Sequence, residues 1–188
     1  MPASFFDRPA HTVARELLGS RVTSECGGQT TAGRIVETEA YTGPDDAACH
    51  AAARIGRTRR NAPLYGPPGT VYIHMNYGIH WLMNVVTGSE GFPAGVLIRA
   101  LEPLDGVDVM RSRRGRDELT NGPARVTQAL AVGPELQSHR LDRPPLWFSV
   151  GDPVSDRDLE TATRIGISRA VERPLRFYDR RSDWISKR

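Results

Sequence analysis
Lysine is nearly absent from this chain: of 25 basic residues only Lys187 is a lysine, and the rest are arginine. Chemistry that runs through a lysine Schiff base therefore has almost nothing to use, apart from Lys187 and the N-terminal amine. Cysteine is scarce as well. Cys26 and Cys49 have no CxxC spacing, which argues against a disulfide framework and against a cysteine-based zinc site. No apolar run approaches the roughly 20 residues of a membrane span, and no charged-apolar-small leader opens the chain. A cytoplasmic protein that makes no membrane contact and holds no metal or cofactor is expected. Repeats and low-complexity tracts are missing too.

What is present fits one domain, residues 1–188: 39% of the residues are hydrophobic, enough for a sizeable core. The formal charge is only +3. The arginine surplus fits phosphate and aromatic faces better than lysine would, although biased codon usage gives the same surplus, so a nucleic-acid partner is permitted and not required. Thr12 to Leu18 has helical spacing behind a candidate Thr12 cap. "RVTSECGGQTTAGRIVETEAYTG" reads as a hairpin about Gly27-Gly28, its second arm running from about Thr31 to Tyr41. "GTVYIHMNYGIHWLMNVVTG" reads as another, turning near Asn76-Tyr77-Gly78. "GVLIRALEP" is a nearly continuous apolar strand with one charge, Arg99. Leu104 to Met110 and Pro123 to Leu130 read as helices, "PPLWFSV" and "RPLRFYD" as short strands. Ser112 to Arg116 and Gln137 to Pro145 read as loops.

The stretch "ETEAYTGPDDAACH" stands apart. Side chains two apart on a strand share a face about 6.6 Å apart. Ile35, Glu37, Glu39 and Tyr41 then point one way, and Val36, Thr38 and Ala40 point toward the core. A carboxylate beside flat rings, with His50 returned by the following turn, can hold a planar base and activate water. A solvated edge strand with a capping Asp pair would give the same pattern. At the second hairpin, Tyr77 beside Gly78 places a large ring on a tight turn, where an exposed wedge can enter a base step; a snorkelling surface tyrosine is the alternative. Tyr72, His74 and Asn76 alternate onto one face of the first arm, His80 and Asn84 onto one face of the second. "ARIGRTRRN" adds Arg54, Arg57, Arg59 and Arg60 within reach of phosphates.

With these residues in place the sequence resembles the alkyladenine (3-methyladenine, or methylpurine) DNA glycosylase family. The blocks are "GRIVETEAYTGPDDAACH", "PGTVYIHMNYGIHWLMNVVTG", "VLIRALEPLDG", "NGPARVTQAL" and "RPLRFYDRRSDWIS", in family order over nearly the whole chain. The resemblance implies a single mixed α/β domain with a curved, mainly antiparallel sheet, flanking helices and a protruding DNA-inserting hairpin. It implies monofunctional hydrolysis that frees a damaged purine (3-methyladenine, 7-methylguanine, hypoxanthine or ethenoadenine) from double-stranded DNA and leaves an abasic site. The protein is expected to act as a monomer.

By the same resemblance Glu39 is the general base, Arg99 the arginine near water and phosphate, Tyr41 and His50 the two sides of the base sandwich. Asn84 screens the purine and Tyr77 intercalates. The loop between His50 and Asn61 is one residue longer than in the family's vertebrate members, so no individual arginine is carried over, and Arg57, Arg59 and Arg60 are expected at the DNA backbone from their place in the basic loop alone. Glu37 is the structural carboxylate. His74 departs from the pattern, standing where vertebrate members carry a pocket tyrosine, and a protonated imidazole there would repel a cationic base, so activity is expected to fall in acid. A hydrolase of free nucleosides would need the Glu-Tyr-His group but neither Tyr77 nor the arginines. A non-catalytic reader of damaged DNA would need those two but not Glu39.

Overall fold
The computed structural model describes residues 1–187. Its framework is a nine-stranded sheet in which every strand pairing is antiparallel among the described residues. Along its main path the order is β3 (Val71–Asn76), β4 (His80–Thr87), β5 (Ala94–Asp105), β2 (Thr31–Tyr41), β1 (Arg21–Ser24), β7 (Leu146–Ser149) and β6 (Asp142–Arg143). The sheet curls into a half-barrel with a few helices against it, a mixed α/β domain of the expected kind. β8 (Leu159–Ala162) and β9 (Arg176–Asp179) leave this path and pair with each other.

β2 is the hub. One edge runs along β5; the other takes β1 on residues 31–34 and β9 on residues 37–39. Its alternation does not hold through the middle. Ile35 packs into the same core cluster as Ala40, and Thr38 donates from its hydroxyl to the Ala14 carbonyl at 2.8 Å, while Val36 packs with Ala100 and Ile185 in a separate cluster. Ile35 therefore does not share a face with Glu39 and Tyr41, and Val36 does not join Thr38 and Ala40. The cause is a bulge: the β2–β5 register shifts between Ile35 and Thr38, and an extra residue in one strand reverses the faces on either side.

The main core lies between the sheet and α2 (Ala10–Glu16), α3 (Val107–Arg114) and α4 (Pro123–Ala129), with Val13, Leu17, Ile98, Met110, Val126 and Leu130 all fully buried. α2 follows α1 (Ala3–Phe6) and begins at Ala10 behind Pro9, so Thr12 is an interior residue and no cap. α3 begins at Val107, because Leu104 still belongs to β5, and it runs on to Arg114, so Ser112 to Arg114 is helix and not loop. Gly106 turns the chain between the two: its φ of 66° is left-handed, and a Cβ there would lie 2.4 Å from the Thr30 carbonyl oxygen. β1 to β5, β7 and α4 fall where the sequence places them, within a residue or two; β9 starts three residues into "RPLRFYD", β6 lies in the stretch read as loop, and β8 was not expected.

Candidate active site
β3 and β4 form a hairpin whose tip stands clear of the domain. Asn76 and His80 are its last paired residues, and the Ile79 amide donates to the Asn76 carbonyl at 3.2 Å. Both central turn residues have positive φ, 51° at Tyr77 and 73° at Gly78. That is natural for glycine and costs a tyrosine on the order of 1–3 kcal/mol. Tyr77 is 82% exposed and Ile79 74%, so two large apolar side chains project together into solvent. Sequence reasoning found the tyrosine and missed Ile79, although "NYGI" shows it.

A cavity of about 250 Å³ opens beside this tip, small for a ligand site and suited to one flat ring. Its walls include Tyr41, Tyr72, His74, Asn76 and Asn84, expected from strand alternation, His50, expected from the turn after β2, and Tyr77. Leu82, on the same arm as Asn84, also lines it and had not been expected, whereas His80 stays outside the lining, exposed at the tip. The His50 and His74 rings meet edge to face with centroids 4.4 Å apart, and His74 stacks on Tyr72 at 5.6 Å. The Tyr72 hydroxyl and His50 Nδ1 share a 3.0 Å hydrogen bond. The His50 carbonyl accepts from Asn61 Nδ2 at 3.0 Å, so part of its capacity is taken by the loop.

Asn84 Nδ2 donates to the Tyr72 carbonyl at 3.2 Å and lies 3.1 Å from His74 Nδ1. An amide donor facing Nδ1 assigns the neutral imidazole with its proton on Nε2. Desolvation, then the neighbouring His50 and Arg60, push the His74 pKa down to about 3. The repulsion expected of a protonated His74 is thereby removed at any ordinary pH. Burial and Arg60 also lower His50, and burial pushes the Tyr72 phenol up to about 12.

Both carboxylates of β2 are fully buried behind the cavity lining, to which Arg99 connects them, and their surroundings differ. Glu37 receives Arg99 Nε (3.2 Å), Arg176 Nη1 (3.0 Å), the Ser186 hydroxyl (2.9 Å) and the Ser186 amide (2.6 Å). Glu39 Oε1 accepts the Ile165 amide at 2.8 Å and faces Arg99 Nη1 at 3.2 Å, while Oε2 has the Tyr41 hydroxyl alone at 2.8 Å. A carboxylate oxygen accepts more than one donor, so Oε2 of each residue keeps capacity, Glu37 Oε2 taking only the Ser186 amide among the described residues. The difference is that Tyr41, Arg99 and Ile165 around Glu39 line the cavity and Arg176 and Ser186 around Glu37 do not. Desolvation raises the Glu39 pKa against the pull of Arg99, and it raises Tyr41 well above an ordinary phenol, with the Glu39 charge adding to the effect. Arg99 is thus shared between the two carboxylates, and its Nη2 donates to the Ser186 hydroxyl at 3.1 Å.

The arginines of residues 54–60 remain on the surface near the hairpin. Arg60 Nη2 donates to the Met75 carbonyl at 2.6 Å, Arg57 lies 5.1 Å over the Tyr65 ring, and Arg59 is exposed. Among the described residues no group of three or more His, Cys, Asp or Glu could hold a metal ion, and no helix is long and apolar enough to cross a membrane.

A curled antiparallel sheet that buries paired carboxylates beneath an aromatic cavity, next to an exposed apolar hairpin tip, defines a domain shaped for one flat ring presented from outside. Residues 4–183 match the family model described as methylpurine-DNA glycosylase. The chain is 44% identical over 198 residues to a Salinibacter ruber protein bearing the name "Putative 3-methyladenine DNA glycosylase", covering 99% of this chain and 96% of that one. It is 42% identical to a protein of that name from Carboxydothermus hydrogenoformans and 43% identical to another from Methanoculleus marisnigri, each match covering 100% of this chain and 99% of the relative. The chain belongs to the methylpurine-DNA glycosylase family.

Proposed function
We propose that this protein is a DNA glycosylase that flips alkylated or deaminated purines out of duplex DNA into the aromatic cavity. There it hydrolyses the bond to deoxyribose and leaves an abasic site. The observation that carries the reading is the setting of the two buried carboxylates: Glu39 is held by Tyr41, Arg99 and Ile165, all of which line the cavity, whereas Glu37 is held also by Arg176 and Ser186, which do not. In this scheme Glu39 positions and deprotonates the attacking water, its raised pKa making it a stronger base than an exposed carboxylate. Arg99 orients Glu39 and offsets charge near the sugar. Tyr41, His50 and His74 stack on the purine, and Asn84 screens its edge.

Tyr77 fills the space the nucleotide vacates, and Arg57, Arg59 and Arg60 contact phosphates. Alkylation at N3 or N7 gives the purine a positive charge and makes it a good leaving group. The enzyme then has mainly to extrude the base, exclude bulk water and present one nucleophile to a sugar with oxocarbenium character. No lysine lines the cavity, which supports hydrolysis without a Schiff base or strand nicking. The lesion set we assign is 3-methyladenine, 7-methylguanine, hypoxanthine and ethenoadenine.

Glu39→Gln should still bind lesion duplex while base release falls by on the order of 10² to 10⁴, the usual contribution of a positioned general base. Single-turnover rates within a few-fold of wild type would remove Glu39 from this role.

A further inference from the structure
Tyr41 lines the cavity, and over its ring the guanidinium carbon of Arg164, a residue outside the lining, lies 4.7 Å from the centroid. The Arg164 side chain is fully buried and so is that of Asp46, which meets it through bonds of 2.5 Å from Nη1 and 2.8 Å from Nη2. Nη1 also donates to the Ala40 carbonyl at 2.9 Å, while Nε has no oxygen or nitrogen partner. Asp46 accepts the Thr42 and Ala48 amides, each at 3.1 Å, and so fixes the loop that leads to His50. Burial alone would raise the Asp46 carboxyl, but the Arg164 contacts and the two amides bring it below the ordinary range, so it is ionised.

A buried ion pair is a poor way to support a ring, because apolar residues of similar shape usually serve stability as well or better. Its electrostatic effect is more specific. A cation against one face of an aromatic ring opposes the attraction the other face offers to a second cation, and it repels that cation directly. Asp46 cancels both effects. Behind the cavity lining Glu37, Glu39 and Asp46 face Arg99, Arg176 and Arg164, and a partly exposed fourth cation, Arg173, reaches Asp46 at 3.7 Å.

We propose that Asp46 is a specificity-determining residue: by neutralising Arg164 over the Tyr41 ring it keeps this wall open to positively charged purines. The inference rests on the glycosylase reading above. It is tested by single-turnover base release from one duplex sequence carrying either cationic 7-methylguanine or neutral hypoxanthine. Wild type, Asp46→Asn and the double variant Asp46→Asn/Arg164→Met are compared.

In Asp46→Asn the half-saturating enzyme concentration for 7-methylguanine should rise on the order of tenfold relative to that for hypoxanthine, the scale of one unit charge acting through a protein interior. The double variant, with both charges removed, should return the ratio to near wild type. Should Asp46→Asn not fold, Arg164→Met serves instead. At pH 6.5, where 7-methylguanine keeps its positive charge and Asp46 keeps the Thr42 and Ala48 amides and Arg173, it should move the ratio several-fold toward 7-methylguanine, and no movement would overturn the proposal. Equal weakening on both lesions, or a ratio the double variant does not restore, would make Asp46 a loop anchor only and overturn it too. Release of neither base by wild type is a different failure, striking the glycosylase reading first and this inference with it.

Discussion

His74 shows how one residue's surroundings reverse a reading made from its type. An ordinary histidine titrates near pH 6.5, where protonation would put a cation against a cationic lesion. Here desolvation and the neighbouring His50 and Arg60 hold it neutral down to about pH 3. Wild type and His74→Tyr should therefore show parallel pH–rate profiles on 7-methylguanine between pH 8 and 5. A steeper acid fall in wild type alone would contradict the neutral assignment. The shift appears instead in stability. Between about pH 6.5 and 3 the unfolded chain protonates His74 and the folded chain does not, so the unfolded state binds more protons and stability declines as pH falls through that window. Urea melts at pH 7.5 and 4.5 should show a smaller acid loss in His74→Tyr than in wild type; equal losses would refute the coupling.

The β3–β4 hairpin separates local strain from the work done at its tip. Tyr77→Gly relieves the left-handed φ of 51° and should leave the domain equally or more stable in denaturant melts. Tyr77→Ala and Tyr77→Gly should both weaken binding and base release on lesion duplexes by roughly 1 to 3 kcal/mol, the range of base-stacking contacts. On single-stranded DNA carrying the same lesion the loss should nearly vanish, because no partner strand has to be replaced. Equal loss on both substrates would leave Tyr77 only its place in the cavity wall and remove it as a wedge. Hairpins of this kind are legible in sequence because turn residues and alternating side chains are local signals. The same rule located Tyr41, Tyr72, His74, Asn76 and Asn84 around one cavity, with Glu39 hydrogen-bonded to Tyr41. It failed at the Val36–Glu37 bulge, where one extra residue reverses the faces and nothing in "RIVETE" marks it. Asp46 and Arg164 were invisible as a pair for another reason, since 118 residues separate them and only the tertiary fold brings them together.

At the scale of the molecule, a formal charge of only +3 understates what a phosphate backbone meets beside the hairpin. Binding carried by phosphate contacts releases counterions, so log K falls with log salt by nearly one unit of slope per contact. Replacing Arg57, Arg59 and Arg60 together with Gln should flatten that slope by about 2 to 3 on any duplex, damaged or not, without altering lesion preference. An unchanged slope would take the loop away from the DNA.

β2 also has a consequence in time as well as in space. Paired along β5 on one edge and with β1 and then β9 on the other, it offers no free edge over the residues around Glu39. Local fraying cannot open such a strand, so its amides should exchange with deuterium only through global unfolding, hours after those of the turn-rich loop at residues 53–60 have done so. The carboxylate proposed to activate water would then belong to the slowest-exchanging segment of the protein, while the loop carrying the arginines proposed for phosphate would exchange early.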